Sequence, residues 1–177
     1  MKIEFKIRLL RYLKLRNPET GFTLIELLVV IVIIGVLAAV SLPSFLGQAA
    51  KAQQSTAKVY VGSMNRAQQS YYLENTAFSP TVDFLGLGIP TQTKTYEFAI
   101  DINTTGTDIF VLGHGKSLQP HLKPYVGMVG LITVAGDGVP IMPAILCETD
   151  QSRVGLAPTP VYGTVLICGA NSRAIDK

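Results

Sequence analysis

The chain has 177 residues, of which 48% are hydrophobic and 15% are charged, and its net charge is +3. This length suits one modest globular domain with an additional element rather than two domains. Residues 1–21 have a net charge of +4, so residues 22–177 total −1 and are close to neutral. The charge distribution therefore argues against a basic surface for nucleic acid, and no direct nucleic-acid site is predicted.

A basic segment, residues 1–21, comes directly before a long apolar segment, residues 22–42. The apolar segment is interrupted only by Thr23, Glu26 and Ser41. As an α-helix it would be about 31 Å long, which is the thickness of the hydrocarbon core of a bilayer. Lys and Arg residues before a span favour a cytoplasmic N-terminus, so the rest of the chain is predicted on the far side of the membrane.

The apolar segment is too long for the core of a secretory signal peptide, and the sequence after it continues with helical character. A candidate processing site lies before it instead, at Gly21–Phe22 in the sequence NPETGF. The proline favours an extended, accessible backbone here, and glycine allows an enzyme to approach closely.

A carboxylate near the start of a membrane span needs an explanation, because an ionisable side chain there costs about 2.5–3.5 kcal/mol on insertion scales. Glu26 is the residue concerned. One interpretation is a polar side chain that reaches the interface of an ordinary membrane anchor. The other is that Glu26 is reserved for a protein partner.

The sequence GFTLIELLVVIVIIGVLAAVSLP, residues 21–43, resembles the N-terminal signature of type IV prepilins and of the pseudopilins of type II secretion. Residues 64–79, MNRAQQSYYLENTAFS, further resemble the general-secretion pilin-like G/H group. The resemblance implies cleavage after Gly21 by a prepilin peptidase, N-methylation of Phe22, and assembly into a helical filament.

Under this resemblance, Glu26 is the charge partner for the N-terminal ammonium of a neighbouring subunit. Such a pair would fix how far each helix slides along the next, as buried polar residues do in coiled coils. Gly35 and Pro43 fall where the family places helix-weakening residues. They predict a kink, and the resemblance also allows local unwinding in a filament.

Helical spacing continues beyond Pro43, which predicts one helix over residues 22–74 with an amphipathic second half. One face comprises Phe45, Ala49, Ala52, Thr56, Tyr60, Met64, Ala67 and Tyr71. The other side, which includes Asn65 and Gln69, is predicted to be solvated or lightly packed. Only the second half can be covered by the chain's own domain, so the first half must lie in lipid or among other copies.

The remainder of the chain reads as short strands separated by Gly and Pro turns. The predicted strands are KTYEFAI, TDIFVLG, MVGLITVAG, PAILCE and YGTVLIC. The predicted fold class is α+β: a long N-terminal helix packed on a small antiparallel sheet of four or five strands, as in pilins. Cys147 and Cys168 predict a disulfide in an oxidising compartment, with two unrelated buried thiols as the alternative.

No catalytic residue, metal site or cofactor is predicted, and the chain is not expected to be an enzyme. His114 and His121 lack the Cys or carboxylate spacing of a metal site and are predicted to be solvated loop residues. The sequence GHGKS, residues 113–117, lacks the spacing of a phosphate-binding loop and is predicted to be a turn.

The expected organisation is a leader (1–21), a membrane or filament-core helix (22–42), an amphipathic helix (43–76) and a β-rich head (77–177). The resemblance implies a pilin whose filament serves adhesion, motility or DNA uptake. The alternatives left open are a pseudopilin of type II secretion, a minor pilin, and a membrane-anchored periplasmic enzyme or binding domain.

The implied partners follow from this sequence of events. They are membrane lipid before assembly, the prepilin peptidase and N-methyltransferase, an inner-membrane assembly platform, other pilins, and further copies of the chain in the filament. The implied location is the inner membrane, as a single-pass protein with a cytoplasmic N-terminus and a periplasmic head, and then an extracellular filament.

Overall fold

The computed structural model describes residues 21–104, 108–133 and 139–175. It contains a long helix, α1 (Leu24–Asn75), followed by a short 3-10 helix (Asp83–Leu85) and a β-sheet. The chain divides between Leu46 and Gly47 into two compact units. The first is here called the apolar unit, and the described residues from Gly47 onward are called the head.

The apolar unit is a bare helix in which every described side chain is exposed. Its sequence is rich in Val and Ile, whose branched side chains lower helix propensity in water. In a hydrocarbon environment the balance changes, because a spanning backbone must satisfy its own hydrogen bonds and a helix does so. The segment is long and apolar enough to cross a membrane.

The helix continues without interruption through both predicted weak points, Gly35 and Pro43. Proline has no N–H to donate, so one hydrogen bond of the helix is missing at Pro43. Just before it, the Ser41 hydroxyl donates to the Leu37 carbonyl at 2.8 Å. Local unwinding, one of the two predicted outcomes, is not seen in this structure.

In the part of the chain that the structure describes, the head contains an antiparallel sheet of six strands rather than the predicted four or five, and the four predicted strands that form differ from their predicted bounds by a few residues. Among the described residues, the strands are β1 (Tyr96–Asn103), β2 (Ile109–Ser117), β3 (Tyr125–Thr133), β4 (Pro140–Ile141), β5 (Ala144–Thr149) and β6 (Ser172–Ala174). Their order is β1-β2-β3-β5-β6, with β4 paired to the end of β3. The predicted α+β class, with one long helix packed on a small antiparallel sheet, is confirmed.

The two central strands, β2 and β3, are buried on both faces along most of their length. The inner face packs on α1, and the outer face is covered by residues 154–168, here called the cover segment. Residues 113–117, predicted to be a turn, are therefore part of β2. The prediction failed because a strand covered on both sides does not alternate between apolar and polar residues.

Helix α1 approaches the inner face closely because glycines line it. A Cβ atom at Gly115 would lie 2.9 Å from Cγ2 of Val61, and one at Gly127 would overlap the Asn65 amide. Only hydrogen fits at these positions. The missing side chains thus create the groove in which α1 lies.

The helix face that packs on the sheet is rotated from the predicted one. Its buried residues are Ala57, Val61, Met64, Asn65 and Gln68. Asn65 was predicted to be solvated, but its side chain donates to the Ile145 carbonyl at 2.9 Å. Gln68 forms a reciprocal pair with the backbone of Ser79, at 2.9 and 2.8 Å. Polar residues belong to this face because their amides bind backbone groups, which satisfies their hydrogen-bonding capacity while buried.

The last predicted strand, YGTVLIC, is wrong. Residues 162–168 form no strand, and only an isolated bridge joins Val161 to Ile167. Leu166 instead turns onto the outer face, where it packs with Ala157, Leu112 and Val126. The apolar run therefore serves as a cover over the sheet.

Cys147 and Cys168 form the predicted disulfide. Cys147 is buried on β5, and Cys168 ends the cover segment. The bridge thus fastens the cover segment to the sheet rather than stapling two strands of a hairpin. Gly155 provides a second attachment through reciprocal hydrogen bonds with Ser117 at the end of β2, at 3.0 and 2.9 Å.

Candidate functional site

The predicted processing site lies in accessible backbone just before α1. Gly21 and Phe22 are exposed, with Phe22 at 74%, and both precede the first helical residue, Leu24. Nothing lies within 4 Å of a Cβ atom built at Gly21. The rest of the predicted leader, residues 1–20, lies outside the described residues.

Glu26 is engaged by a neighbour in its own chain. The Thr23 backbone N–H donates to Oε2 of Glu26 at 3.0 Å, and the Thr23 hydroxyl donates to the same oxygen at 2.8 Å. In return, the Glu26 backbone N–H donates to the Thr23 hydroxyl oxygen at 3.3 Å. This reciprocal arrangement is a capping box, which satisfies N–H groups that the first turn of a helix would otherwise leave unpaired.

The capping box changes the interpretation of Glu26. Its two hydrogen bonds converge on Oε2, and within the described chain Oε1 accepts none. One oxygen therefore helps to begin the helix, while the other is available to a cation from outside. Sequence reasoning missed the first role, although the signal, Thr followed three residues later by Glu, was present.

The other two residues predicted to act in the apolar unit lie farther along α1. Gly35 contributes to a shallow apolar depression together with Ala38, Ala39, Ser41, Leu42 and Phe45. Pro43 lies at the end of the same stretch of helix. The structure does not bring either residue near Glu26, because about two and a half turns of helix separate Glu26 from Gly35, the nearer of the two, at about 3.6 residues per turn.

No group with the features of a catalytic site is found in the described part of the head. No three His, Cys, Asp or Glu side chains come together there as metal ligands. Glu148, which is largely buried, pairs with Arg173 and lies 3.7 Å from the Lys123 ammonium. Burial, with Glu148 nearby, raises the pKa of the Tyr125 phenol to about 12, so that side chain stays protonated at neutral pH.

One predicted loop residue, His114, is instead buried in the middle of β2 with 4% of its surface exposed. Its Nε2 lies 3.0 Å from Oδ2 of Asp101, a residue of β1 that is 70% exposed. The two groups are poorly aligned, and within the described chain neither ring nitrogen makes a hydrogen bond of good geometry. His121 is exposed, as predicted.

Comparison with known proteins identifies relatives among filament subunits. Residues 16–42 match the prokaryotic N-terminal methylation motif. Over 85 residues the chain is 36% identical to the type IV major pilin protein PilA of Myxococcus xanthus, covering 48% of this chain and 38% of that protein. Over 71 residues it is 39% identical to the type II secretion system core protein G of Vibrio cholerae, covering 40% of this chain and 48% of that protein.

A third relative is matched over most of its length. The type IV wide pilus major component PilA4 of Thermus thermophilus is 32% identical over 101 residues, which are 56% of this chain and 76% of that protein. By contrast, the chain spans less than half the length of the Myxococcus and Vibrio relatives. No solved structure matches the chain. The family model for type IV pilin-like G and H matches residues 54–169, more than half of the sequence, and the chain therefore belongs to the type IV pilin-like G and H family.

Proposed function

We propose that the protein is a structural subunit that polymerises into a type IV pilus-like filament. The single observation that carries this proposal is the apolar unit: a helix from Leu24 with every described side chain up to Leu46 exposed. A continuous apolar surface of this kind needs lipid or other protein to cover it. Lipid provides the cover before assembly, and the same helices of other subunits provide it afterwards.

Processing between Gly21 and Phe22 by a prepilin peptidase is the proposed trigger for assembly. It removes the leader (1–21) and leaves a chain with a filament-core helix (22–42), an amphipathic helix (43–76) and a β-rich globular region (77–177). Removal of the leader frees the amino group of Phe22, which is cationic at neutral pH and stays so after N-methylation. The exposed junction and the methylation-motif match support this step.

The free Oε1 of Glu26 is the proposed acceptor for the Phe22 ammonium of a neighbouring subunit. Two opposite charges about 4 Å apart attract by about 4 kcal/mol at an effective dielectric constant of 20. Desolvation offsets much of this attraction, so the main effect is on alignment. In an otherwise uniform apolar bundle, one charge pair determines how far neighbouring helices slide past each other.

The proposed path begins in the inner membrane, with the N-terminus in the cytoplasm and the head in the periplasm. An assembly platform in that membrane then passes the processed subunit, with other pilins, into the growing extracellular filament. Adhesion, motility or DNA uptake are the processes such a filament would serve. The subunit itself needs no catalytic group for any of them, which agrees with a family of structural pilins.

A second candidate function is a pseudopilin of a type II secretion system. One observation favours it: the relative in Vibrio cholerae is a type II secretion system core protein. Deleting the gene in the native host separates the two functions. Loss of surface filaments with normal protein export supports a pilin, whereas blocked export with unchanged filaments supports a pseudopilin.

Mass spectrometry of the N-terminus, combined with purification of surface filaments, tests the leading proposal. We expect the chain in filaments to start at methylated Phe22. Gly21→Leu should leave the intact chain in the membrane, because a bulky side chain blocks the approach of the peptidase. Gly47→Leu, at another glycine with nothing near its Cβ position, is the matched control and should be processed normally. An unprocessed wild-type chain that stays monomeric in the membrane would overturn the proposal.

A further inference from the structure

The outer face of the sheet contains one ionisable side chain that is buried, His114. On β2 it lies between Leu112 and Lys116 on the same face, and it is directly opposite Ala99 on β1 and Val126 on β3. The cover segment packs over this region, with Ala157 and Leu166 in the same apolar cluster as Leu112 and Val126. A neutral imidazole is tolerated in such a cluster, but a charged one is costly.

The charged groups that face His114 come almost entirely from β1. Asp101 lies at 3.0 Å, and Glu97 is occupied by an ion pair with Lys116 at 2.8 Å. On the β3 side, the outer-face residues Val126 and Met128 do not titrate. The cover segment contains a single titratable side chain, Tyr162, because Cys168 is in the disulfide. Asp101 is therefore the one nearby group that favours a proton on His114.

These two influences act in opposite directions, and burial is the larger. Burial lowers the pKa of the His114 imidazole from its usual value of about 6.5, while the Asp101 carboxylate partly opposes this effect. Because Asp101 is 70% exposed, water screens its attraction for the ring. The buried form of His114 therefore binds a proton less readily than a form in which the ring reaches water.

We propose that His114 is an acid-sensitive release for the cover segment, with Asp101 as the group that moderates it. Above about pH 6.5 the neutral ring stays packed and the cover segment stays on the sheet. As the pH falls below that value, an opened form with a hydrated, charged ring gains population. His114 and Asp101 lie on the outer face of the sheet, and α1 packs on the inner face. Acid is therefore expected to open the cover segment before it affects the packing of α1.

The disulfide determines what the release can do. It joins Cys168, at the end of the cover segment, to Cys147 on β5, so an opened cover segment remains attached. Opening would expose the apolar outer face, including Met128 and Ile145, without separating the segment from the head. The change is therefore reversible when the pH rises. It concerns the head alone and does not depend on the proposed filament function.

The test measures hydrogen exchange and thermal unfolding of the full chain in detergent micelles. After correction for the intrinsic effect of pH, backbone exchange in residues 154–168 should rise several-fold between about pH 7.5 and about pH 5. Exchange in helix residues 57–68 should change little over the same range. The melting temperature should fall with pH as well, because the folded form binds fewer protons than the unfolded form.

The chain offers a matched control, because it has two histidines, one buried and one exposed. His114→Gln, which stays neutral, should remove most of the acid-induced rise, and His114→Leu is the alternative if the amide is poorly tolerated. His121→Gln should behave like the wild type. Asp101→Asn, which removes the moderating charge, should steepen the response. The proposal is overturned if the His114 variants keep the wild-type response, if His121→Gln abolishes it, or if helix and cover segment lose protection together.

Discussion

The two halves of α1 cover their apolar side chains in opposite ways. Residues 24–46 are exposed all round, whereas residues 57–68 lie in a groove lined with glycines on the chain's own sheet. In the first half the sequence is apolar except for Glu26, Ser41 and Ser44, and Glu26 is its one ionisable residue. In the second half, polar amides on the buried face bind particular backbone groups. The comparison shows that contacts within the chain determine how the head packs. The apolar side chains of the apolar unit, by contrast, need a partner to cover them.

The largest expected effect separates charge from helix capping in the apolar unit. Glu26→Ala removes both, whereas Glu26→Gln keeps a side chain that can complete a capping box but removes the charge. If charge pairing determines helix alignment, both variants should reduce filament yield by about tenfold or more. Sheared filaments, quantified by immunoblot against the membrane pool, provide the measurement.

Head stability should be unchanged in both Glu26 variants, and membrane insertion should be unchanged or improved, because a carboxylate is costly in a membrane span. A normal filament yield from Glu26→Gln would show that capping is the whole role of the residue. The two halves of α1 would then differ in how their apolar side chains are covered, but charge pairing by Glu26 would have no role in that difference.

The next largest effect is expected in the groove that holds the second half of α1. Gly127→Ala places a methyl group against the Asn65 amide, so the helix must shift, and we expect a loss of about 3 kcal/mol in the free energy of unfolding. Denaturation of the mature chain, followed by circular dichroism, measures it. Gly62→Ala is the matched control, because its Cβ would meet Leu146 at an ordinary 3.7 Å. The control should be neutral or stabilising, since Ala favours a helix over Gly by about 1 kcal/mol. Equal losses in the free energy of unfolding of the two variants would show that close packing of α1 against Gly127 is not what stabilises the head.

Removing the disulfide should destabilise the cover segment more than the helix. The disulfide closes a loop, which stabilises the head by about 3 kcal/mol in the chain-entropy model. Replacing both Cys147 and Cys168 by Ala removes this stabilisation. Limited proteolysis should then cut first within residues 154–168, and the melting temperature should fall. Reducing the wild-type protein should reproduce the pattern of cuts. First cleavage in α1 would instead mean that the bridge supports the whole head.

The smallest expected effect concerns the start of the helix. Thr23→Ala removes the capping hydroxyl and should cost about 1 kcal/mol of helix stability at this end. Thr23→Ser retains the hydroxyl and is the control. Exchange of the backbone amides in the first turn, measured in micelles, should rise in the alanine variant alone. Equal exchange in the two variants would show that the membrane environment, and not the cap, holds the first turn.

The elements that sequence reasoning predicted well are those with strong local signals. The apolar run from Leu27 to Val40 and the Cys pair need no knowledge of the tertiary structure to be noticed. The strand at residues 144–149 likewise stands between turn residues. In such places the local sequence and the final environment favour the same structure.

The elements that were not predicted depend on contacts with segments that are distant in the sequence. His114 lies in a Gly-rich stretch, which indicates a turn unless a helix approaches one face of it and a covering segment the other. The apolar run after Val161 has strand composition, but among the described residues it pairs only through the bridge between Val161 and Ile167. Asn65 is a polar residue on a buried face because the Ile145 carbonyl is within its reach. Each outcome depends on a distant contact that no local pattern contains.

The groove of glycines also bears on how the protein can diversify. Because α1 is held by close backbone approach at Gly115 and Gly127, the positions that must be kept are few and internal. Exposed side chains of the head, such as Val165, take no part in that close approach and are free to change. Selection for a different outer surface could therefore replace exposed residues of the head, while the glycines that hold α1 on the sheet are kept.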